Sequence, residues 1–105
     1  MPERVQLSRK KGWRMPTNTV KVDRTTKWGN PFIVGRHGTR QECVDRFRYM
    51  LAGYICISTD NQNEQRAYRK MAFRDRTELK GKNLACWCPP NAPCHADILL
   101  SIKQN

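Results

Sequence analysis

The stretch KNLACWCPPNAPCHADILL, Lys82 to Leu100, decides how this chain is read. Asn83 to Cys88 is a short apolar run with an aromatic residue in it, the pattern of a strand buried on both faces. Pro89, Pro90 and Asn91 cannot continue a strand. Pro93 stands where a first helical residue is favoured, Asn91 or Ala92 lies at or beside the cap, and Ala96, Leu99, Leu100 and Lys103 follow at helical spacing. Cys88 is therefore expected to end a strand, and Cys94 and His95 to open a helix.

That placement has chemical consequences. Open α/β sheets collect ligands where strands end and helices begin, because unpaired helix N–H groups and the helix dipole favour an anion there. A thiol at such a point has its thiolate stabilised, so Cys94 is expected to have a lowered pKa, with His95 beside it as a proton carrier. Cys86 and Cys88 are two residues apart, so on a strand both thiols share one face and Trp87 takes the other. Cys86, Cys88, Cys94 and His95 also make four soft ligands within ten residues, a set that zinc binds. Their spacing is not that of structural zinc, whose ligand pairs stand two to four residues apart on separate knuckles. The expectation is that no metal or other cofactor is bound, with zinc at these four residues as the alternative.

Working outward, 105 residues make one domain, spanning 1–105. No apolar run is long enough to cross a bilayer and no signal sequence opens the chain, so a soluble, cytoplasmic protein without a membrane partner is expected. Five cysteines in that setting read as reduced thiols, metal ligands or core residues rather than a disulfide framework. The formal net charge is +11, and it is unevenly spread. Met1 to Trp28 holds eight Lys or Arg against two acids, whereas Asn83 to Asn105 holds only Lys103 against Asp97. Such a basic surface attracts nucleic acid, nucleotides or other phosphorylated partners.

Upstream, the periodicity predicts strands near 4–7, 19–23 and 31–34 beside the one at 83–88, and helices near 40–55, 62–79 and 93–103. Thr39 with Glu42 is a capping-box pattern for the first helix, whose inner face carries Val44, Phe47, Leu51, Tyr54 and Ile55, with Arg40, Arg46 and Arg48 outside. The second helix turns Ala67, Tyr68, Met71 and Ala72 inward. Strand runs alternating with amphipathic helices predict an α/β fold, a short and mostly parallel sheet with flanking helices. Between the second strand and the next lies Trp28-Gly29-Asn30-Pro31-Phe32, a tight turn in which Gly29 and Asn30 tolerate unusual backbone angles. Arg24 and Lys27 precede it, and with two hydroxyls beside them they have the composition of a phosphate or sugar contact. His37 reads as a turn residue.

The pair Gly29-Asn30-Pro31-Phe32 and Cys86-Trp87-Cys88, followed by Cys94-His95-Ala96-Asp97, resembles the hallmarks of a bacterial and phage domain-of-unknown-function family marked by GNPF and CWC motifs. The resemblance covers nearly the whole chain and implies membership without an activity. No Walker sequence, GxGxxG, HExxH or GxSxG occurs.

Two functional readings result. In the first, a nucleotide or other phosphorylated ligand binds where two parallel strands end: Arg24, Lys27, Trp28, Gly29 and Asn30 hold it, and Cys88, Cys94, His95 and Asp97 carry any hydrolysis or group transfer. In the second, the chain is a non-catalytic nucleic-acid-binding protein that uses Arg9, Lys10, Lys11, Trp13 and Arg14, an aromatic residue among cations.

Overall fold

A computed structural model of the chain describes residues 3–89 and 91–102. Pro90 and Lys103, invoked above to stop a strand and to continue a helix, lie outside the described residues. Among the described residues the elements run β1 (Arg4–Gln6), β2 (Thr19–Lys21), α1 (Arg40–Leu51), α2 (Gln62–Arg74), a 3-10 turn at Arg76–Glu78, β3 (Asn83–Cys86) and α3 (His95–Ile102).

Leu84, Ala85 and Cys86 are all buried, so β3 has no polar face to turn to water and takes the middle of the sheet. The strand order is β1-β3-β2, and both pairs are parallel. The register sets Val5 beside Ala85 and Val20 beside Leu84. One further ladder bond follows each edge strand, Leu7 N–H to the Cys86 carbonyl at 2.7 Å and Val22 N–H to that of Ala85 at 2.8 Å. All three strands therefore end on one edge. α3 packs on β1 and β3, α1 packs on α3, and α2 on α1. Phe47 and Met50 of α1 meet Leu84, Ala96 and Leu99 in the core. The Tyr68 ring of α2 stands edge-on to Phe47, with centroids 5.3 Å apart.

The α/β class, the parallel sheet and the capping box agree with the sequence reading; several element boundaries do not. The strand expected at 31–34 is a turn, because its backbone donors are consumed locally. Pro31 has none, Phe32 N–H donates to Asn30 Oδ1 at 2.9 Å, and Ile33 N–H donates to His37 Nδ1 at 2.8 Å. α1 stops at Leu51 rather than 55, since Ala52 caps it and Gly53 takes a φ of +114°, which leaves Tyr54 71% exposed. α2 stops at Arg74 rather than 79, where Asp75 turns to meet Lys27 and Arg74, and Ala67 faces solvent. β3 ends at Cys86 rather than 88: the Trp87 indole leaves the ladder to donate to Asp23 Oδ2 at 2.8 Å. α3 begins at His95 rather than 93, and Cys94 immediately precedes it, its carbonyl accepting from Asp97 N–H at 3.1 Å.

Candidate functional site

Because β2 and β3 are parallel neighbours, the segment after β2 and the segment after β3 leave the same edge of the sheet. Between them opens a cavity of about 440 Å³. Its floor is Phe32, Cys43, Val44, Cys86, Cys94 and His95, and its rim carries Arg24, Thr25, Asn30, Ile33, Val34, Arg40, Trp87 and Cys88. Both loops named from the sequence contribute to it.

Asp23 ties the two loops together. Its carboxylate is buried and accepts from Thr25 Oγ1 at 2.6 Å, Thr25 N–H at 3.2 Å and Trp87 Nε1 at 2.8 Å, with Lys21 Nζ at 3.6 Å. Burial opposes its ionisation, but the donors from Thr25 and Trp87, with the Lys21 charge, outweigh it and hold the pKa below 3.8. Above the same Trp87 ring the Arg9 guanidinium lies 5.0 Å from the centroid.

The turn at 28–32 is built from inside. Gly29 is not in the left-handed region: a Cβ there would stand 2.8 Å from both Arg24 Cα and the Asp23 carbonyl oxygen, so glycine is required by close approach of the chain to itself. Asn30 does not adopt a positive φ either. The Arg24 guanidinium donates to the carbonyls of Asn30 at 3.1 Å and Phe32 at 3.2 Å, which sets the turn while the side chain still faces the cavity.

His95 is oriented by backbone. Its Nε2 lies 2.8 Å from the Val22 carbonyl oxygen and 3.1 Å from that of Trp28, and since both partners only accept, Nε2 carries the hydrogen. Nδ1 is then the acceptor, 3.8 Å from Cys94 Sγ. Burial holds its pKa below 6.5, so the neutral ring is the resting form at neutral pH.

Three sulfurs converge beside it. Cys86 Sγ and Cys94 Sγ are 3.1 Å apart, and the donor atoms of Cys86, Cys88 and Cys94 all lie within 4.8 Å of one another. Cys88 is the acidic member: S–H donation from Cys86 and Cys94 lowers its pKa below 9.0, and the Arg40 guanidinium, 3.3 Å from its sulfur, adds to the effect. Donation to Cys88 and Cys94, followed by burial, raises Cys86. The expectation of an acidic Cys94 is corrected: the bond from Cys86 favours its thiolate, but the bond it gives to Cys88 and its own burial leave its pKa above 9.0.

Of the catalytic candidates, Cys88, Cys94 and His95 come together and Asp97 does not. Two positions along the helix from His95, it points away and pairs with Arg4 Nη1 at 3.1 Å, outside the cavity. Of the ligand-binding candidates, Arg24 and Asn30 line the cavity. Lys27 does not, because it is drawn to Asp75 and Glu78, each 2.8 Å from its Nζ. Trp28 is buried and only its carbonyl reaches this region. Lys10, Lys11 and Arg14 are exposed on the loop between β1 and β2, with Trp13 half-buried; none of these four lines the cavity. The sequence reading missed Arg40, Trp87 and Asp23 as site residues. For Arg40 the signal was present: it is the first helical residue after the Thr39 N-cap, at the end of a helix where anions are favoured.

A second cavity of about 420 Å³ lies between α2, the 3-10 turn and α3, with Trp28, Phe73, Leu79, Arg69 and Arg76 among its walls. Among the described residues no cysteine, histidine or carboxylate lines it. No helix among the described residues is long and apolar enough to cross a membrane.

A family model described as a domain of unknown function (DUF4326) matches residues 5–105. An uncharacterized protein of Acanthamoeba polyphaga mimivirus is 28% identical over 101 residues, which is 89% of this chain and 58% of that relative. The chain thus spans little more than half the length of the curated relative it matches. No solved structure matches.

Proposed function

We propose that this chain, which belongs to the DUF4326 family, binds a phosphorylated small molecule, a nucleotide or nucleoside phosphate, in the cavity at the carboxyl edge of β2 and β3. The observation that carries the reading is the parallel β2–β3 pair, which brings the loop bearing Arg24 and Asn30 and the loop bearing Cys88 and Cys94 to one cavity. Arg24 spends two of its five donors on the turn carbonyls and keeps the rest for an anion. Arg40 adds a second cation, at the positive end of α1. Phe32, Val44, Ile33, Val34 and Trp87 make an apolar wall of the kind that accepts a base. Hydrolysis or group transfer on the ligand is the reaction class, with Cys88, Cys94 and His95 facing it. The GNPF and CWC motifs are, on this reading, the two walls of one pocket. The setting is a reducing, cytoplasmic one, in which free thiols persist.

Calorimetry on the full chain, comparing a nucleoside monophosphate with the bare nucleoside, tests the reading. Binding that depends on the phosphate is expected, and Arg40→Gln should weaken it by a charge-assisted contact, about 1.5–3 kcal/mol. Lys27→Gln should leave affinity unchanged, because Lys27 is committed to Asp75 and Glu78 outside the cavity. Failure of every nucleotide to bind, with tight and steeply salt-dependent binding of an oligonucleotide, would replace this reading with the basic nucleic-acid surface at Arg9, Lys10, Lys11, Trp13 and Arg14.

A further inference from the structure

We infer that Cys86, Cys88 and Cys94 form a thiolate site for one zinc ion whose fourth coordination position opens into the cavity. The linear spacing speaks against such a site, and the fold removes the objection. Cys86 closes β3, Cys88 stands two residues past it, and Cys94 stands immediately before α3. Sulfurs 2.3 Å from a tetrahedral zinc stand about 3.8 Å apart. The three sulfurs here all lie within 4.8 Å of one another, with Cys86 and Cys94 at 3.1 Å, so shifts of about 1 Å or less bring them to that spacing.

The scaffold holds this geometry independently of any ion. Arg4 Nη2 donates to the Pro89 carbonyl at 2.8 Å and Arg4 Nη1 to that of Ala92 at 3.0 Å, clamping the return loop from β1. Arg40 Nη1 donates to Cys88 Sγ at 3.3 Å. Such donors neutralise thiolate charge and orient ligands in metal sites. Three thiolates around a divalent ion leave one net negative charge, which Arg40 faces.

His95 is not the fourth ligand. Its hydrogen-free Nδ1 lies 3.8 Å from Cys94 Sγ, but among the described residues the mutually close donor set contains only the three cysteines. All three cysteines line the cavity, so the remaining position faces it. Three protein ligands and one open position is the arrangement of zinc sites that engage a substrate rather than only brace a fold. The inference keeps Arg24 and Arg40 for the phosphate and makes Cys88 and Cys94 ligands rather than free nucleophiles, and it is tested separately, since the ion is measured without any nucleotide.

The full chain, produced without a metal-affinity tag and purified without chelator, is analysed for metal and then titrated with Co²⁺ after zinc removal. About one equivalent of zinc is expected, with a thiolate-to-cobalt charge-transfer band saturating at about one equivalent. Cys88→Ser should weaken metal affinity at least about tenfold. Cys56→Ser should leave it unchanged, since that thiol stands outside both the cluster and the cavity. Should Cys88→Ser fail to fold, the cobalt spectrum of the unaltered chain decides alone. Less than about a tenth of an equivalent of zinc after incubation with excess, together with no charge-transfer band, overturns the inference. So does a Cys86–Cys94 disulfide in protein kept under reducing conditions.

Discussion

Gly29 shows how a motif residue acts here. Its value lies in what is missing, because any Cβ would press within 2.8 Å of Arg24 Cα and of the Asp23 carbonyl oxygen, both of them backbone that cannot swing aside. The same two residues begin the loop that Asp23 ties to Trp87 and that Arg24 ties to Asn30 and Phe32. Gly29→Ala is expected to destabilise the fold by about 1–3 kcal/mol, the range for forced overpacking. A urea-denaturation midpoint indistinguishable from that of the parent would contradict this. Sequence reasoning recognised the glycine and gave it the wrong reason, backbone freedom. Which atoms lie 2.8 Å from an absent side chain is a fact of packing, and no local pattern carries it.

At the scale of the element, α1 connects the two halves of the site. Thr39 Oγ1 accepts from Glu42 N–H at 3.2 Å and Thr39 N–H donates to Glu42 Oε1 at 2.9 Å, a reciprocal cap on orphan helix donors. The residue that follows, Arg40, reaches Cys88 Sγ, while Cys43 and Val44 on the next turn enter the cavity wall. Thr39→Ala is expected to cost about 1 kcal/mol of stability. Because the cap fixes the first turn, its loss should also loosen Arg40 from Cys88 and disfavour the thiolate, read as slower alkylation of Cys88. An unchanged denaturation midpoint would show that the cap is redundant. The cap and the helix start were legible in four residues of sequence. The end of the helix was not: Gly53 at φ +114° breaks an apolar period that runs on to Ile55.

For the whole molecule, the turn at 31–38 is welded to the loop before α2. Asp60 accepts from His37 Nε2 at 2.7 Å and pairs with Arg36, while Asn61 Nδ2 donates to the Pro31 carbonyl at 3.0 Å. The His37 bond first, and then Arg36, lower the Asp60 pKa from 3.8 to about 2. A depressed folded-state pKa means that the unfolded chain takes up the proton first as pH falls. The stabilisation is therefore full above 3.8, declines as pH drops toward about 2, and is gone below both values. Thermal midpoints measured across that window should fall less steeply for Asp60→Asn than for the parent; equal slopes would show that the weld does not report on global stability.

What the sequence determined by itself was the class of the fold, the strand buried on both faces, the starts of the first two helices and the two motif loops. Each of these is local: an apolar run, a period of hydrophobicity or a cap is written within a few neighbouring residues. It also placed Cys86, Cys88, Cys94 and His95 near one another, because they lie within ten positions. What only the tertiary structure decided was which side chains meet. Lys27 and Asp97 had the right chemistry at the right distance along the chain, yet Asp75 and Glu78 take the first and Arg4 the second. Arg40, 48 positions from Cys88, joins the site through α1 and the parallel crossover. An ion pair or a shared cavity depends on strand order and helix packing, and those follow from burial of the chain as a whole rather than from any segment's own periodicity.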